Sequence, residues 1–591
     1  MKTFCITVNE PVCQELARVV SKRLSDRGMC YREEADLRVM VTVDPSSKED
    51  SFRITGKPHS IEIVADSLIN AYAGCGRLLY TGSFTEDGFT PSDIRGSVSY
   101  DCEIRCVYTA THFHTFYFNA PLDSVYTYLE DLALMGINGI THPVPDINLN
   151  INRREELEAA FDRCAEICKK AMSLGMKLHF GGTTSCTFLD IPEYLKAVPI
   201  PDPITCRGNS GHKVCPSKPE GQRILDEQNR FVMNQWKKRG INVDYVGFFP
   251  YDEGGCGCDM CHPWGARGYI KACKRAKEVI REIYPDCKFI VGTWLFDRPE
   301  EGEWDALSKS LEEEKWADVI MADSHDEYPR YPLDVQVPGN LPLIAFPEIS
   351  MWGLWPWGGY GASFFPKRYT KIWRSTEGKL HGGRMYSEGI YEDLNKYVVA
   401  GLYRDYNNDP DAAVAEYARY HFGCRDAEKF VEMVDCIEKN MVLNADNPGG
   451  KVFMTPKLNK SDMALAERAW ELAQEIDAQL PRWGRACWRW RIMYIRALLD
   501  LHRYRNEKLH ENEEAVAAMQ ELAEIYCCIK DYKIADDPYH LKLRPPFPVY
   551  DENFDPAEYQ NIGSILNAAA IGLIVTGKDM DVRVAASGNQ A

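Results

Sequence analysis

The sequence predicts an α/β protein built on a (β/α)8 barrel, with a small α/β domain before it and an α-helical domain after it. Between about Ile104 and Asp405, short β-branched and aromatic runs alternate with helical periodicity about eight times. Ahead of that stretch, strands and helices mix without that rhythm, and beyond about Asp409 strand-like runs nearly vanish. At 591 residues the chain is too long for one hydrophobic core. The expected domains are 1–98 (an accessory α/β domain), 99–408 (the barrel) and 409–591 (helical).

In the first domain FCITV and DLRVMVTV read as strands, and SFRITG and SIEIVAD alternate like a hairpin. Glu10 to Arg27 and Ala71 to Leu79 carry helical periodicity. The barrel then opens with EIRCVYTATHFHTF and a helix from Leu122 to Met135. INGITHPVP precedes the helix Arg153 to Leu174, and MKLHFGGTTSC leads through a Pro-rich loop to Glu220 to Arg239. VDYVGFFPYDE comes before a helix running from about Arg267 to Tyr284, and CKFIVGTWLFD before Trp304 to Glu314. ADVIMADSHDE and LPLIAFPEISMW follow, with Lys367 to Ser375 helical, and GRMYSEGI precedes Tyr391 to Asp405. In the last domain the helices expected are Ala412 to His421, Ala427 to Asn440, Ser461 to Gln479, Trp483 to His502 and Glu511 to Asp531, with Trp488 and Trp490 as core.

A net charge of −18 argues against nucleic acid and anionic membranes as partners. No run is long and apolar enough to span a bilayer, and MKTFCITVNE lacks the shape of a signal peptide. The 21 cysteines, an odd number scattered through strands and helices, point to a reducing cytoplasm. A homo-oligomer is compatible with all of this.

In a barrel of this kind the active site lies where the strands end. The expected strand ends form an acid-rich rim. Strand one offers Arg105, His112 and His114; strand four, the adjacent acids Asp252 and Glu253; strand five, Trp294 and Asp297. Strand six offers Asp323, His325 and Asp326, strand seven Glu348 with Trp352, Trp355 and Trp357 in its loop, and strand eight Tyr386 and Glu388. Acids converging with tryptophans suit glycoside hydrolysis, in which one carboxyl protonates the leaving oxygen and another negative group stabilises or attacks the anomeric carbon. With Phe248 and Phe249 just before it and Trp264 nearby, Glu253 is expected to have a raised pKa, as a general acid requires.

Several stretches resemble known families. SFRITGKPHSIEIVADSLINAYAGCGRLLYT resembles the zincin-like amino-terminal domain of family 20 hexosaminidases and family 67 α-glucuronidases, which is an accessory domain there. Asp252-Glu253 at the end of strand four resembles the Asp-Glu pair of family 20 β-N-acetylhexosaminidases. The resemblance implies that Glu253 is the general acid and that Asp252 orients and polarises the substrate's own acetamido group. Arg105 is similar to the arginine with which that family holds sugar hydroxyls. VCPSKPEG at Val214, the Cys-rich segment after the acids, and MYSEGIYEDLNKYVVAGLY followed by AEYARYHFG resemble barrel enzymes near family 163 endo-β-N-acetylglucosaminidases. Together these motifs span roughly residues 50 to 425. FFPYDEGG departs from the small-residue, Gly-rich approach of the family 20 signature.

The resulting expectation is a carbohydrate-cleaving enzyme acting on a β-linked N-acetylhexosaminide through Asp252 and Glu253, with Arg105, His112, Trp294, Asp323, Trp352, Tyr386 and Glu388 binding the sugar. It needs no cofactor for catalysis. A second reading makes Glu348 the nucleophile of a retaining glycosidase on another sugar, including a uronide, against which the acidic rim weighs. A non-catalytic carbohydrate-binding barrel, and metal-dependent hydrolysis at His112, His114, Asp323 and His325, are the remaining alternatives. Finally, Cys256, Cys258 and Cys261 have the C-x-C-x-x-C spacing of a structural zinc site, with Cys215 or His262 as fourth ligand and Cys186 and Cys206 in another loop of the same face. Three reduced thiols packing a tight turn fit the same spacing.

Overall fold

Strands of a parallel barrel are covered on both faces, so they read as near-continuous apolar runs, and eight such runs close into one sheet here. The structure, a computed structural model, describes residues 2–85, 88–111, 116–141, 143, 154–185, 188, 191–200, 212–251, 255–298, 300–324, 328–350, 364–387, 389–440, 463–505 and 512–528. Barrel strands one to eight are Ile104–Tyr108, Gly139–Thr141, Lys177–Gly181, Tyr245–Phe248, Lys288–Gly292, Val319–Asp323, Leu343–Phe346 and Gly382–Ser387. Each pairs in parallel with the next, and strand eight returns to strand one with Gly382 opposite Ile104 and Met385 opposite Val107. A short strand, Glu348–Ser350, extends beyond strand seven and pairs with strand eight.

The two-residue alternation sorts each strand's side chains. Ile104, Cys106, Tyr245, Ile290, Met321 and Ile344 fill the barrel interior. Val107, Val246, Phe248, Phe289, Val291 and Ile320 join the core between the strands and the surrounding helices. Those helices are Leu122–Leu134, Arg154–Ser173, Pro219–Lys238, Tyr269–Arg281, Glu303–Glu313, Pro366–Arg374 and Asp393–Arg404; in the sixth repeat the helix is a single turn, Tyr331–Asp334.

Before the barrel, a six-stranded sheet runs in the order Cys30–Tyr31, Thr3–Val8, Leu37–Val43, Ser60–Ala65, Ser51–Lys57, Gly96–Ser99. The expected hairpin is its antiparallel pair, Phe52 opposite Ala65 through Lys57 opposite Ser60. After the barrel come Pro410–Phe422, Ala427–Asn440, Met463–Gln479, Trp488–Tyr504 and Glu513–Cys527. The helix expected to run unbroken from Trp483 to His502 is two pieces, Arg482–Arg485 and Trp488–Tyr504. At the break Gly484 packs so close to Phe422 that an added Cβ would lie 2.0 Å from the Phe422 carbonyl oxygen. Trp490 is fully buried, as expected of a core residue.

A buried ion-pair chain joins the three regions. Arg23, from the helix Gln14–Ser25 before the barrel, donates to Asp131 at 2.8 Å; Arg489, from the helix Trp488–Tyr504 after it, donates to the other Asp131 oxygen at 2.9 Å and to Asp393 at 2.5 Å. Asp131 and Asp393 belong to barrel helices, so one network fastens both flanking regions to the barrel. No described helix is long and apolar enough to cross a membrane.

Candidate active site

The carboxyl ends of the strands form one mouth, floored by aromatic rings. Tyr108 at the end of strand one and Tyr386 on strand eight lie 4.6 Å apart, centroid to centroid. Phe346, the last residue of strand seven, sits 5.6 Å from Tyr386 and 5.6 Å from Phe249, which follows strand four. Aromatic faces are the surfaces on which the C–H faces of sugars pack. Tyr386 was expected here; Tyr108, Phe249 and Phe346 were not, because an aromatic at a strand end reads as core.

A polar layer lies inside the barrel wall. His179 is within 3.1 Å of the Arg384 guanidinium through Nδ1 and within 3.1 Å of the Cys106 sulfur through Nε2, and its ring stacks on Tyr245 at 4.4 Å. Arginine only donates, so Nδ1 accepts and the single proton of the neutral ring is on Nε2, directed at Cys106. Burial, reinforced by Arg384, holds His179 well below its usual range and so neutral. Burial pushes Arg384 down to about 10. Strand four passes this guanidinium with Gly247, where an added Cβ would lie 2.4 Å from an Arg384 nitrogen; the V-G-F sequence of that strand has its reason there.

The loop after strand four is held on both sides of Asp252-Glu253. Trp264 donates to the Pro250 carbonyl at 2.5 Å, and the Tyr251 hydroxyl bonds the Glu303 carboxylate. Gly255 lies flat on Trp264, where an added Cβ would come 2.1 Å from the indole. Glu303 also accepts from the backbone N–H of Gly265 at 2.7 Å and of Asp297 at 3.1 Å, so one buried carboxylate ties the loops after strands four and five. Burial pushes the Glu303 carboxyl above its usual range, against the hydrogen bonds that favour ionisation. Nothing in the sequence marks Glu303 for this role, since it falls just before the expected helix Trp304 to Glu314. Leu295 and Asp297, beside it, have φ of 61° and 59°, a region that costs non-glycine residues energy and that clusters at functional loops.

Of the expected site residues, His112, His114, Asp252, Glu253, His325, Asp326, Trp352, Trp355, Trp357 and Glu388 lie outside the described residues, as do Cys186 and Cys206. The backbone of Asp323 ends strand six, and that of Glu348 follows strand seven opposite Tyr386, so both stand at the mouth end of the sheet. Trp294 follows strand five and is only 9% exposed, part of the core around the loop rather than a projecting platform. Asp297 is exposed and accepts from the Glu303 backbone N–H at 2.6 Å, starting the following helix.

Arg105 is a correction. Strand alternation puts Cys106 inside the barrel and Arg105 outside it, toward the first domain. Its guanidinium is fully buried, pairs with Asp50 at 2.6 and 2.9 Å, donates to the carbonyls of Cys102 and Gly136, and stacks 3.6 Å from the Tyr100 ring centroid. It ties strand one to the region before the barrel, away from the mouth.

The cysteine loop gains its fourth member. Cys215, before the helix that follows strand three, meets Cys256, Cys258 and Cys261. The four sulfurs lie within 4.8 Å of one another. His262 instead faces Glu300 at 3.2 Å. Burial, with the neighbouring thiols, pushes Cys215 up to about 11.

No family model matches the sequence, and no curated protein matches it. The fold does have solved counterparts. One is CpGH89 from Clostridium perfringens, a family 89 glycoside hydrolase, in a form with two glutamates replaced by glutamine and bound to its substrate GlcNAc-alpha-1,4-galactose: TM-score 0.59, 13% identity, 96% of this chain and 71% of that one covered. The family 89 hydrolase from the same organism with 2-acetamido-1,2-dideoxynojirmycin gives TM-score 0.58 at 13% identity over the same shares. A GH138 enzyme targeting pectin rhamnogalacturonan II gives TM-score 0.52 at 11% identity, covering 88% of this chain and 73% of that one. The likeness is one of fold. It takes in the barrel and both flanking regions.

Proposed function

We propose that this protein is a glycoside hydrolase acting on N-acetylhexosaminides, with its bond-breaking groups at the ends of strands four and seven. The observation that carries the reading is the mouth itself: an aromatic floor of Tyr108, Phe249, Phe346 and Tyr386, beside a strand-four loop clamped immediately before and after Asp252-Glu253. A clamped loop suits a general acid, because a displacement of about 1 Å can cost about 10²-fold in rate. Solved structures of the same fold support the class, and the family 89 enzyme's substrate contains N-acetylglucosamine.

In this reading the Glu253 carboxyl gives its proton to the glycosidic oxygen as the bond to the anomeric carbon breaks. Asp252 orients the substrate's acetamido group, whose carbonyl oxygen attacks that carbon from the other side. Water then opens the cyclic intermediate, and Glu253, now a carboxylate, takes the water's proton. The position of Glu348 favours one alternative. Its backbone stands at the mouth end of the sheet, paired with Tyr386 of strand eight, and the family 89 variant that holds substrate lacks two glutamates. Glu348 would then form a glycosyl-enzyme, and no acetamido group would be needed.

A panel of nitrophenyl glycosides separates these readings. N-acetylglucosaminide and N-acetylgalactosaminide should be cleaved, in the β series, and the matching glucoside and galactoside should not. Cleavage of the plain sugars at similar kcat/KM would favour Glu348 as nucleophile, and no cleavage of any member would favour a binding barrel.

A further inference from the structure

We propose that Cys215, Cys256, Cys258 and Cys261 bind one zinc ion, which cross-links the loops after barrel strands three and four. A zinc–thiolate bond is about 2.3 Å, so the sulfurs of a tetrahedral site stand about 3.8 Å apart. Here the Cys215 sulfur is 3.7 Å from that of Cys258 and 3.9 Å from that of Cys261. A disulfide would require about 2.05 Å. Two separations thus match the edge of a zinc–thiolate tetrahedron, all four sulfurs lie within 4.8 Å of one another, and the spacing of Cys215 from Cys258 and Cys261 is too long for a bridge.

Hydrogen-bonding groups also gather around the sulfurs. The backbone N–H groups of Val198 and Cys258 point at the Cys256 sulfur, the former at 3.4 Å, and that of Ser217 points at Cys215. The Ser217 hydroxyl lies 3.0 Å from the Cys261 sulfur. Such contacts hold the sulfurs in place, as the outer partners of a metal site do. The frame around them is fixed: Cys215 N–H bonds the Leu195 carbonyl, Gly257 N–H the Val198 carbonyl, and Cys261 N–H the Cys258 carbonyl. Three of the four cysteines are buried and Cys258 is half-buried, which leaves an entry path without an open coordination position. A closed four-sulfur set is a structural site, so the ion takes no part in the reaction proposed above, and its presence does not depend on that reaction. All-thiolate tetrahedral sites select zinc or iron, and metal analysis tells them apart.

The test is metal analysis of the full-length protein, purified under reductant without added metal or chelator. We expect about one zinc per chain, released by a mercurial that titrates thiols and recorded with a chromogenic chelator. Exchange for cobalt(II) should give the intense visible bands of a tetrahedral thiolate complex. Cys258→Ser should lose the zinc and melt at a lower temperature, while Cys30→Ser, an exposed cysteine elsewhere, should keep it. Should Cys258→Ser fail to fold, the cobalt spectrum of the unaltered chain still decides. Zinc below a tenth of an equivalent, iron in its place, an octahedral cobalt spectrum, or full zinc in a folded Cys258→Ser protein would each overturn the proposal.

Discussion

Among single residues, Arg105 separates a plausible motif from a working one. Its place on strand one suited a sugar-holding arginine, but alternation turns it outward, onto Asp50. The pair is part-buried, with the Arg105 side chain 1% exposed and that of Asp50 28%. Asp50→Asn should therefore strand a buried cation and cost about 3 kcal/mol, near the low end for broken buried pairs. Asparagine also tolerates the φ of 50° at this position. Denaturant titration should show that loss while kcat/KM of the folded fraction is unchanged; a fall in kcat/KM with stability intact would return Arg105 to the sugar. The sequence could mark Arg105 but not its partner, because Asp50 lies 55 residues earlier and no local pattern couples them. Cys215 is the opposite case: Cys-x-Cys-x-x-Cys marked three clustered thiols, and the fold brings Cys215 rather than His262 to them by carrying in the preceding loop.

Among elements, barrel strands and helices were legible because a strand covered on both faces and an amphipathic helix differ in period. Short edge strands such as Cys30–Tyr31 and the hairpin Ser83–Thr85 with Gly88–Thr90 were not, being too brief to show any period. The paired acids drew attention to the strand-four loop, but nothing local showed its clamp, since Glu303 arrives from the next repeat. Gly255→Ala tests that clamp. Its methyl would collide with the Trp264 indole, and overpacking of this kind costs typically about 1–3 kcal/mol. Because Trp264 also anchors Pro250, kcat should fall more than stability alone accounts for; a variant with a lower melting temperature but unaltered kcat would show that the clamp does not position the acids.

Across the whole molecule, the chain Arg23–Asp131–Arg489–Asp393 makes stability depend on acid. Burial alone would raise the Asp131 pKa, but Arg23 and Arg489 outweigh it and hold the carboxyl below its ordinary range. A depressed carboxyl contributes stability that is complete above its unfolded pKa, about 3.9, and lost as pH falls through the folded value. Melting temperature should thus drop below about pH 4, with the flanking domains loosening from the barrel. Asp131→Asn should melt lower at neutral pH and show a shallower acid limb, read by calorimetry. An acid limb identical to that of the unaltered protein would assign the dependence to other groups.

If Glu253 delivers a proton to the glycosidic oxygen, its loss should matter most for the poorest leaving groups. Glu253→Gln keeps the side chain's shape and removes its proton. General acid catalysis contributes about 10²–10⁴-fold, so kcat/KM on a disaccharide N-acetylhexosaminide, a poor leaving group, should fall by that order. On a dinitrophenyl glycoside, whose leaving group needs little protonation, the fall should be far smaller. Equal losses on both substrates, or a near-normal rate on the disaccharide, would contradict the assignment and pass the role to Glu348 or Glu388.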